Sequence, residues 1–368
     1  MAAIEGQVVM DGYVVPARVH FADQILEIEP IADAPSHWIL PGVLDWHNHG
    51  GGGGDVMDGE IGIRQLASTH AQFGMTGFLA TTVTAERDAI DTVLAAAARV
   101  MADRQANEAR CYGVHLEGPY LSAQKLGAQP EKTRPVDTQE LRSWFETGVV
   151  RVMTYAPEQD PDGLIPPLAA SFGVRLQIGH SGCAYHCAEA LLCSGHGVTH
   201  LFNAMTGVTH RQAGVALAAL QHAEFSEIIC DGLHVEAPAF QLARNQVAKL
   251  YGVTDATAAS GMPDGEYRLG SHCVFKANGA VRLADGTLAG SASTASTTIE
   301  TLLRFGLDWP EIVAMACGRP AQWLDLSTVG KVAVGAESDL LLWDANGLKS
   351  VWIAGQLISS TAETSDGR

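Results

Sequence analysis

The sequence predicts an α/β fold: a closed (β/α)8 barrel of the TIM type, carrying a small discontinuous β-sandwich built from both chain ends. Three observations predict it. The length of 368 residues suits a barrel of roughly 250 residues or more plus a small accessory unit. The middle of the chain alternates short apolar runs with helical stretches, the pattern of βαβ units. Both ends alternate apolar and polar residues, yet neither holds enough strands to bury a core alone. The expected division is 1–40 and 330–368 for the sandwich and 41–329 for the barrel.

From Ile4 to Ile39 the runs Gln7-Val8-Val9, Arg18-Val19-His20-Phe21 and Gln24-Ile25-Leu26-Glu27-Ile28 read as strands with turn residues between them. The tail reads the same way at Lys331–Gly335, Asp339–Trp343 and Ser350–Gly355. Eight barrel strands are expected at Ile39–His49, Thr76–Val83, Cys111–Glu117, Val149–Tyr155, Val174–His180, Val198–Phe202, Glu227–Asp231 and Tyr251–Asp255. Helices are expected between them at Ile61–Phe73, Asp88–Arg104, Thr138–Glu146, Tyr185–Ser194 and Ala237–Lys249. An open doubly wound sheet is disfavoured, because no GxGxxG run opens a helix after the first strand. The Gly50–Gly54 run predicts a flexible loop beside a site. A β-hairpin over Cys273–Phe275 and Val281–Leu283 is expected as an insertion after the eighth strand.

Composition removes several function classes. The balance of 23 basic against 41 acidic residues leaves a net charge of −18, which repels nucleic acid and anionic membrane. No apolar run approaches the length of a membrane span, and the start resembles no signal peptide. The glycine run lacks the Lys-Ser/Thr of a phosphate-binding loop, which argues against ATP. Seven scattered cysteines read as reduced thiols in a cytoplasmic protein. The nearest group, Cys183, Cys187 and Cys193, reads as helix packing.

The chemistry gathers at strand ends. His47 and His49 close the first strand, and a side-chain period of two turns both to one side. Glu117 ends the third strand, His180 the fifth, His200 the sixth and Asp255 the eighth. Barrel enzymes carry their catalytic groups at these carboxyl ends, and imidazole with carboxylate suits zinc or a similar divalent ion. His20, His37, His70, His186, His196, His222 and His272 read as structural, and His115 is open to either role.

The run Leu40-Pro41-Gly42-Val43-Leu44-Asp45-Trp46-His47-Asn48-His49 resembles the first-strand motif of the amidohydrolase superfamily. Within it, His115–Tyr120, Gly179-His180-Ser181, Thr199–Met205, Asp231–His234 and Val253–Thr257 resemble the N-acetylglucosamine-6-phosphate deacetylase family. The likeness runs over essentially the whole chain. It implies that Glu117, His180 and His200 hold a principal divalent metal, expected to be zinc with iron as the alternative. It implies that Asp255 is the proton shuttle and that His47 and His49 complete a second metal position, with one or two ions per subunit. It further implies that Asn203, Ala204, Arg211 and His234 contact the sugar phosphate, Arg211 reaching into a neighbouring subunit of a homodimer. One departure concerns Gln129, which stands where the family often carries a histidine that stabilises the acetyl oxygen; glutamine still donates a hydrogen bond but carries no positive charge.

The implied reaction is hydrolysis of the N-acetyl group of N-acetylglucosamine 6-phosphate. Three alternatives stay open at this point. The galacto epimer would need only one hydroxyl turned over. A non-catalytic sugar-phosphate sensor would be signalled by loss of a ligand or of Asp255, and neither is lost. A cyclic-amide hydrolase of the dihydroorotase type needs a lysine on the fourth strand, and Val149–Tyr155 has none.

Overall fold

The computed structural model describes residues 1–360; the last residues of the expected accessory segment, 361–368, lie outside the described residues. Eight parallel strands form one sheet: Val43–Asn48, Met75–Thr81, Arg110–Glu117, Val150–Tyr155, Arg175–Ile178, Gly197–Val198, Phe225–Ile229 and Lys249–Val253. The seam between the last and first strands is drawn together by Asp255 N–H donating to the His47 carbonyl (2.9 Å) and His49 N–H donating to the Ala256 carbonyl (2.8 Å). All eight expected strands are present, and the order is that of a barrel, not of a doubly wound sheet. Helices Glu60–Ala71, Arg87–Ala102, Thr138–Glu146, Tyr185–Cys193 and Ala237–Gln246 occupy the expected intervals. The fifth stops earlier than expected because Lys249 already belongs to the next strand.

The barrel has two apolar layers, as strand alternation requires. A large outer cluster joins strand residues such as Phe78, Val114 and Ile228 to helix residues such as Leu66, Leu94 and Phe240. A separate cluster of Leu44, Trp46, Leu79, Val152, Ile229, Tyr251 and Val253 closes against Trp323, Leu324 and Val329.

Three expectations are corrected. The run Ile39–His49 is not one strand. It divides at Gly42: Trp38–Pro41 joins the accessory sheet, while Val43–Asn48 enters the barrel. A Cβ at Gly42 would lie 2.1 Å from Thr76 Oγ1, so the chain passes between the two sheets only with no side chain there. The hairpin is larger than expected, an antiparallel meander of Gly265–Leu269, His272–Ala277, Ala280–Arg282 and Leu288–Ser291. The glycine run is pinned rather than flexible: Gly50–Gly51 pairs with Gly54–Asp55, and Gly52 and Gly53 donate to the carbonyls of Ser260 and Ala258.

The chain ends combine as expected, in a seven-stranded sheet. Ala2–Met10, Tyr13–Phe21, Ile25–Pro30 and Trp38–Pro41 join Leu340–Asp344, Gly347–Ile353 and Gln356–Ser360. The sheet bends over its own core, bringing Phe21 edge-on to Trp352 with ring centroids 6.0 Å apart. All seven cysteines are free, but Cys187 and Cys193 are exposed, so only Cys183 of that group packs inward.

Candidate metal centre and active-site cleft

At the carboxyl ends of the strands, six side chains from five strands converge. Glu117 lies at the centre. Its Oε1 is 3.1 Å from His180 Nε2 and 3.2 Å from His200 Nε2. Its Oε2 is 3.6 Å from His47 Nε2 and 3.4 Å from His49 Nε2. Asp255 Oδ1 faces the first-strand pair, 3.1 Å from His49 Nε2 and 3.5 Å from His47 Nε2. His180 and His200 are 3.1 Å apart through Nε2, and His47 and His49 are 3.2 Å apart through theirs. All six are buried.

The outer ring nitrogens decide what these inner atoms are. His180 Nδ1 faces the Lys125 carbonyl at 2.8 Å, and His49 Nδ1 faces the Thr81 carbonyl at 3.1 Å. His47 Nδ1 is 2.9 Å from Glu227 Oε2. Each partner only accepts, so each Nδ1 donates and each Nε2 presents a lone pair to the centre. Lone pairs facing lone pairs and carboxylate oxygens need a positive charge between them, and either protons or a cation supplies it. Burial alone would depress His47, but Glu117, Glu227 and Asp255 around it lift its pKa well above the ordinary range. Burial likewise works against Glu117 and Asp255, yet the imidazoles hold Glu117 well below its usual value and Asp255 at about 2. Three buried carboxylates (Glu117, Glu227 and Asp255) against neutral imidazoles leave negative charge uncompensated, a cost of several kcal/mol per ion. The donor set fits a divalent cation: nitrogen and oxygen ligands, with the outer nitrogens of His47, His49 and His180 anchored and that of His200 buried without a partner.

The backbone carries strain at the same place. His180, His200 and Asp255 have φ of 47°, 29° and 50°, a region that costs a non-glycine residue on the order of 1–3 kcal/mol. Each lies just beyond the end of its short strand, where the left-handed turn swings the side chain over the mouth of the barrel.

A cleft of about 210 Å³ opens above the cluster, lined by His49, Glu117, His180, His200 and Asp255 together with Gln129, Asn203, Ala204 and His234. The meander closes one side with Leu269, Thr287, Leu288 and Gly290. Gln129 donates from Nε2 to Glu117 Oε2 (2.5 Å) and accepts the Thr84 N–H at Oε1 (2.7 Å). His234 is gripped by Asp231, Nδ1 to Oδ2 at 2.6 Å. Burial would lower its pKa, but Asp231 raises it above the ordinary value. Two of the expected site residues do not line the cleft: His47, wholly buried within the cluster, and Arg211, exposed on the loop before the helix Val215–His222.

The sequence did not single out Glu227, Asp231 or Glu158. Glu158 accepts from the Ser181 hydroxyl and the Gly182 N–H, bracing the turn after His180. For Glu227 a signal exists: a charged residue directly before the apolar run Ile228-Ile229-Cys230 in the strand Phe225–Ile229. His115, open in the sequence, lies beneath the centre with its pKa lowered to about 4 by burial. It bonds the Trp46 carbonyl at 2.8 Å and Thr154 Oγ1 at 2.7 Å.

The profile of the Amidohydrolase family matches residues 38–358. The chain belongs to that family. It is 33% identical over 328 residues to an N-acetylglucosamine-6-phosphate deacetylase of Bacillus subtilis, covering 86% of this chain and 82% of that protein. It is 32% identical over 371 residues to an N-acetylgalactosamine-6-phosphate deacetylase of Escherichia coli O157:H7, covering 95% and 96%. A solved structure of a mutant N-acetyl-D-glucosamine-6-phosphate deacetylase from Mycobacterium smegmatis, in complex with N-acetyl-D-glucosamine-6-phosphate, superposes with a TM-score of 0.90. That superposition has 29% identity and covers 97% of this chain and 99% of that one. Among the described residues no helix of this amidohydrolase is long and apolar enough to cross a membrane.

Proposed function

We propose that this amidohydrolase removes the N-acetyl group of N-acetylglucosamine 6-phosphate, giving glucosamine 6-phosphate and acetate. The observation that carries the reading is the convergence of four imidazole Nε2 atoms and two carboxylates at the mouth of the barrel. The named relatives support the substrate class.

Glu117, His180 and His200 would hold one divalent cation, zinc first and iron second. His47 and His49, with Glu117 Oε2 between them and the other pair, would hold a second. When bound, such a cation supplies Lewis acidity toward the acetyl carbonyl and lowers the pKa of a water toward about 7. Asp255 is the base. As a carboxylate it is ionised at neutral pH and takes the proton of the water that attacks the acetyl carbon. The C–N bond breaks only when its nitrogen is protonated, since an amide anion is a prohibitively poor leaving group; Asp255 returns the proton there. Gln129 steadies Glu117 through one amide hydrogen and has a second to offer the carbonyl oxygen. Asn203, Ala204 and His234, whose pKa Asp231 raises, receive the sugar phosphate inside an otherwise acidic protein. Arg211, exposed and outside its own cleft, would serve a neighbouring subunit, with a homodimer as the working form. Seven free cysteines suit a reducing compartment, the cytoplasm.

Acetate release from N-acetylglucosamine 6-phosphate, from its galacto epimer and from unphosphorylated N-acetylglucosamine tests this reading. The expected order is gluco phosphate first, with the unphosphorylated sugar far behind. Faster release from the galacto epimer would move the assignment to that sugar, and no release from either phosphate would overturn it.

A further inference from the structure

We propose that Glu227 is a positioning residue that ties the two halves of the metal centre together, holding the ring of His47 and the backbone of His200 with one carboxylate. The inference rests on the reading that the cluster holds a divalent cation.

Glu227 lies in the strand Phe225–Ile229, wholly buried. An apolar residue would fill that place at far lower desolvation cost, so its polar contacts need a reason. Oε2 accepts from His47 Nδ1 at 2.9 Å and from the His200 N–H at 3.2 Å. Oε1 accepts from the Tyr251 hydroxyl at 3.3 Å, and that hydroxyl is itself fixed by Gln177 Nε2 at 2.7 Å. The carboxylate therefore touches one histidine from each side of Glu117. On the first-strand side it sets the tautomer, so that His47 Nε2 faces Glu117 and Asp255. On the other side it anchors the peptide of His200 where φ is 29°, a conformation that persists only when its surroundings impose it. Its negative charge also raises the basicity of His47 Nε2, as carboxylates behind metal-binding histidines do.

The test is metal content and competition with a chromogenic chelator for wild type, Glu227→Gln, His47→Asn and the double variant. The Gln variant removes the charge behind His47 and, having one acceptor oxygen in place of two, cannot accept from the Tyr251 hydroxyl as well as from His47 and His200, so the hold on that oxygen is loosened while the volume is kept. We expect Glu227→Gln to weaken, about 10- to 100-fold, the metal equivalent that His47→Asn also loses, and to add nothing in the His47→Asn background. Wild-type binding by Glu227→Gln, or equal weakening in both backgrounds, would overturn the proposal. A wild-type protein that binds no metal would instead defeat the metal centre itself. Should Glu227→Gln not fold, Tyr251→Phe carries the test by freeing Oε1. Faster chelator extraction of the same equivalent supports the proposal, and a wild-type rate refutes it.

Discussion

Asp255 at the carboxyl end of the barrel and Asp339 at the opposite end, where the accessory sheet joins the first strand, are 8% and 4% exposed. Burial pushes both carboxyls toward the neutral form. At Asp255 the imidazoles of His47, His49 and His200 reverse that push, and the pKa settles at about 2. At Asp339 one N–H, from Ala354 at 2.8 Å, reaches Oδ1, Oδ2 has no partner, and burial prevails with a pKa of about 6. One end of the barrel is thus organised to keep charge and the other only tolerates a polar group. Burial alone does not mark a functional carboxylate; the company it keeps does.

The largest break of this comparison comes from removing divalent metal. A chelator should abolish acetate release and lower the thermal midpoint of wild type, because a ligand bound only to the folded state stabilises it. The Asp339→Asn variant should lose as much as wild type, since its end of the barrel holds no cation; an unchanged wild-type midpoint would contradict the metal reading. Next in size, Asp255→Asn should cut turnover about 10²- to 10⁴-fold with metal content unchanged, measured by acetate release and metal analysis side by side. Near-normal turnover would refute the shuttle role.

A smaller effect concerns His234. Its pKa is raised by Asp231, so phosphate affinity should be full at low pH and fade as pH rises through that raised value. In Asp231→Asn the fading should begin at lower pH. KM for the phosphorylated sugar, followed from pH 6 to 9, checks this, and identical profiles would remove His234 from phosphate binding. Smallest is Asp339→Asn. A carboxyl with pKa raised from 3.8 to about 6 holds its proton more tightly when folded. Its contribution to stability is therefore intact below about 3.8 and lost as pH rises through about 6, at most about 3 kcal/mol for two pKa units. The variant should melt higher than wild type at pH 7 and equally at pH 3.5; a lower midpoint at pH 7 would show that the Ala354 N–H and the positive charge of Arg110, which both act to lower the Asp339 pKa, favour the charged form more than burial opposes it.

How legible the site was depends on what each residue says locally. Strand ends mark Glu117, His180, His200 and Asp255, because a ligand-type residue closing an apolar run is visible in one dimension. The first-strand pair was found by the right pattern for an incomplete reason. The pairing with Met75–Thr81 shifts register between Asp45 and Asn48, and Trp46 packs among the inner apolar residues, so strict alternation does not run through the motif. The left-handed backbone at His180, His200 and Asp255 was not legible, since no glycine announces it. Glu227 was missed because its importance lies in whom it touches, His47, 180 residues away; Asp231, three residues before its partner His234, was in view only as part of the motif that marks His234. The split at Gly42 was hidden because both halves of Ile39–His49 are extended and apolar and differ only in which sheet accepts them.

A cation belongs at the point where the imidazoles of His180 and His200 meet Glu117. Anomalous diffraction from crystals of active protein, grown without added metal, tests that point directly. A peak about 2 Å from His180 Nε2, His200 Nε2 and a Glu117 oxygen is the predicted result. Crystals of fully active enzyme with no such peak, and with the His180 and His200 rings turned away from Glu117, would contradict it.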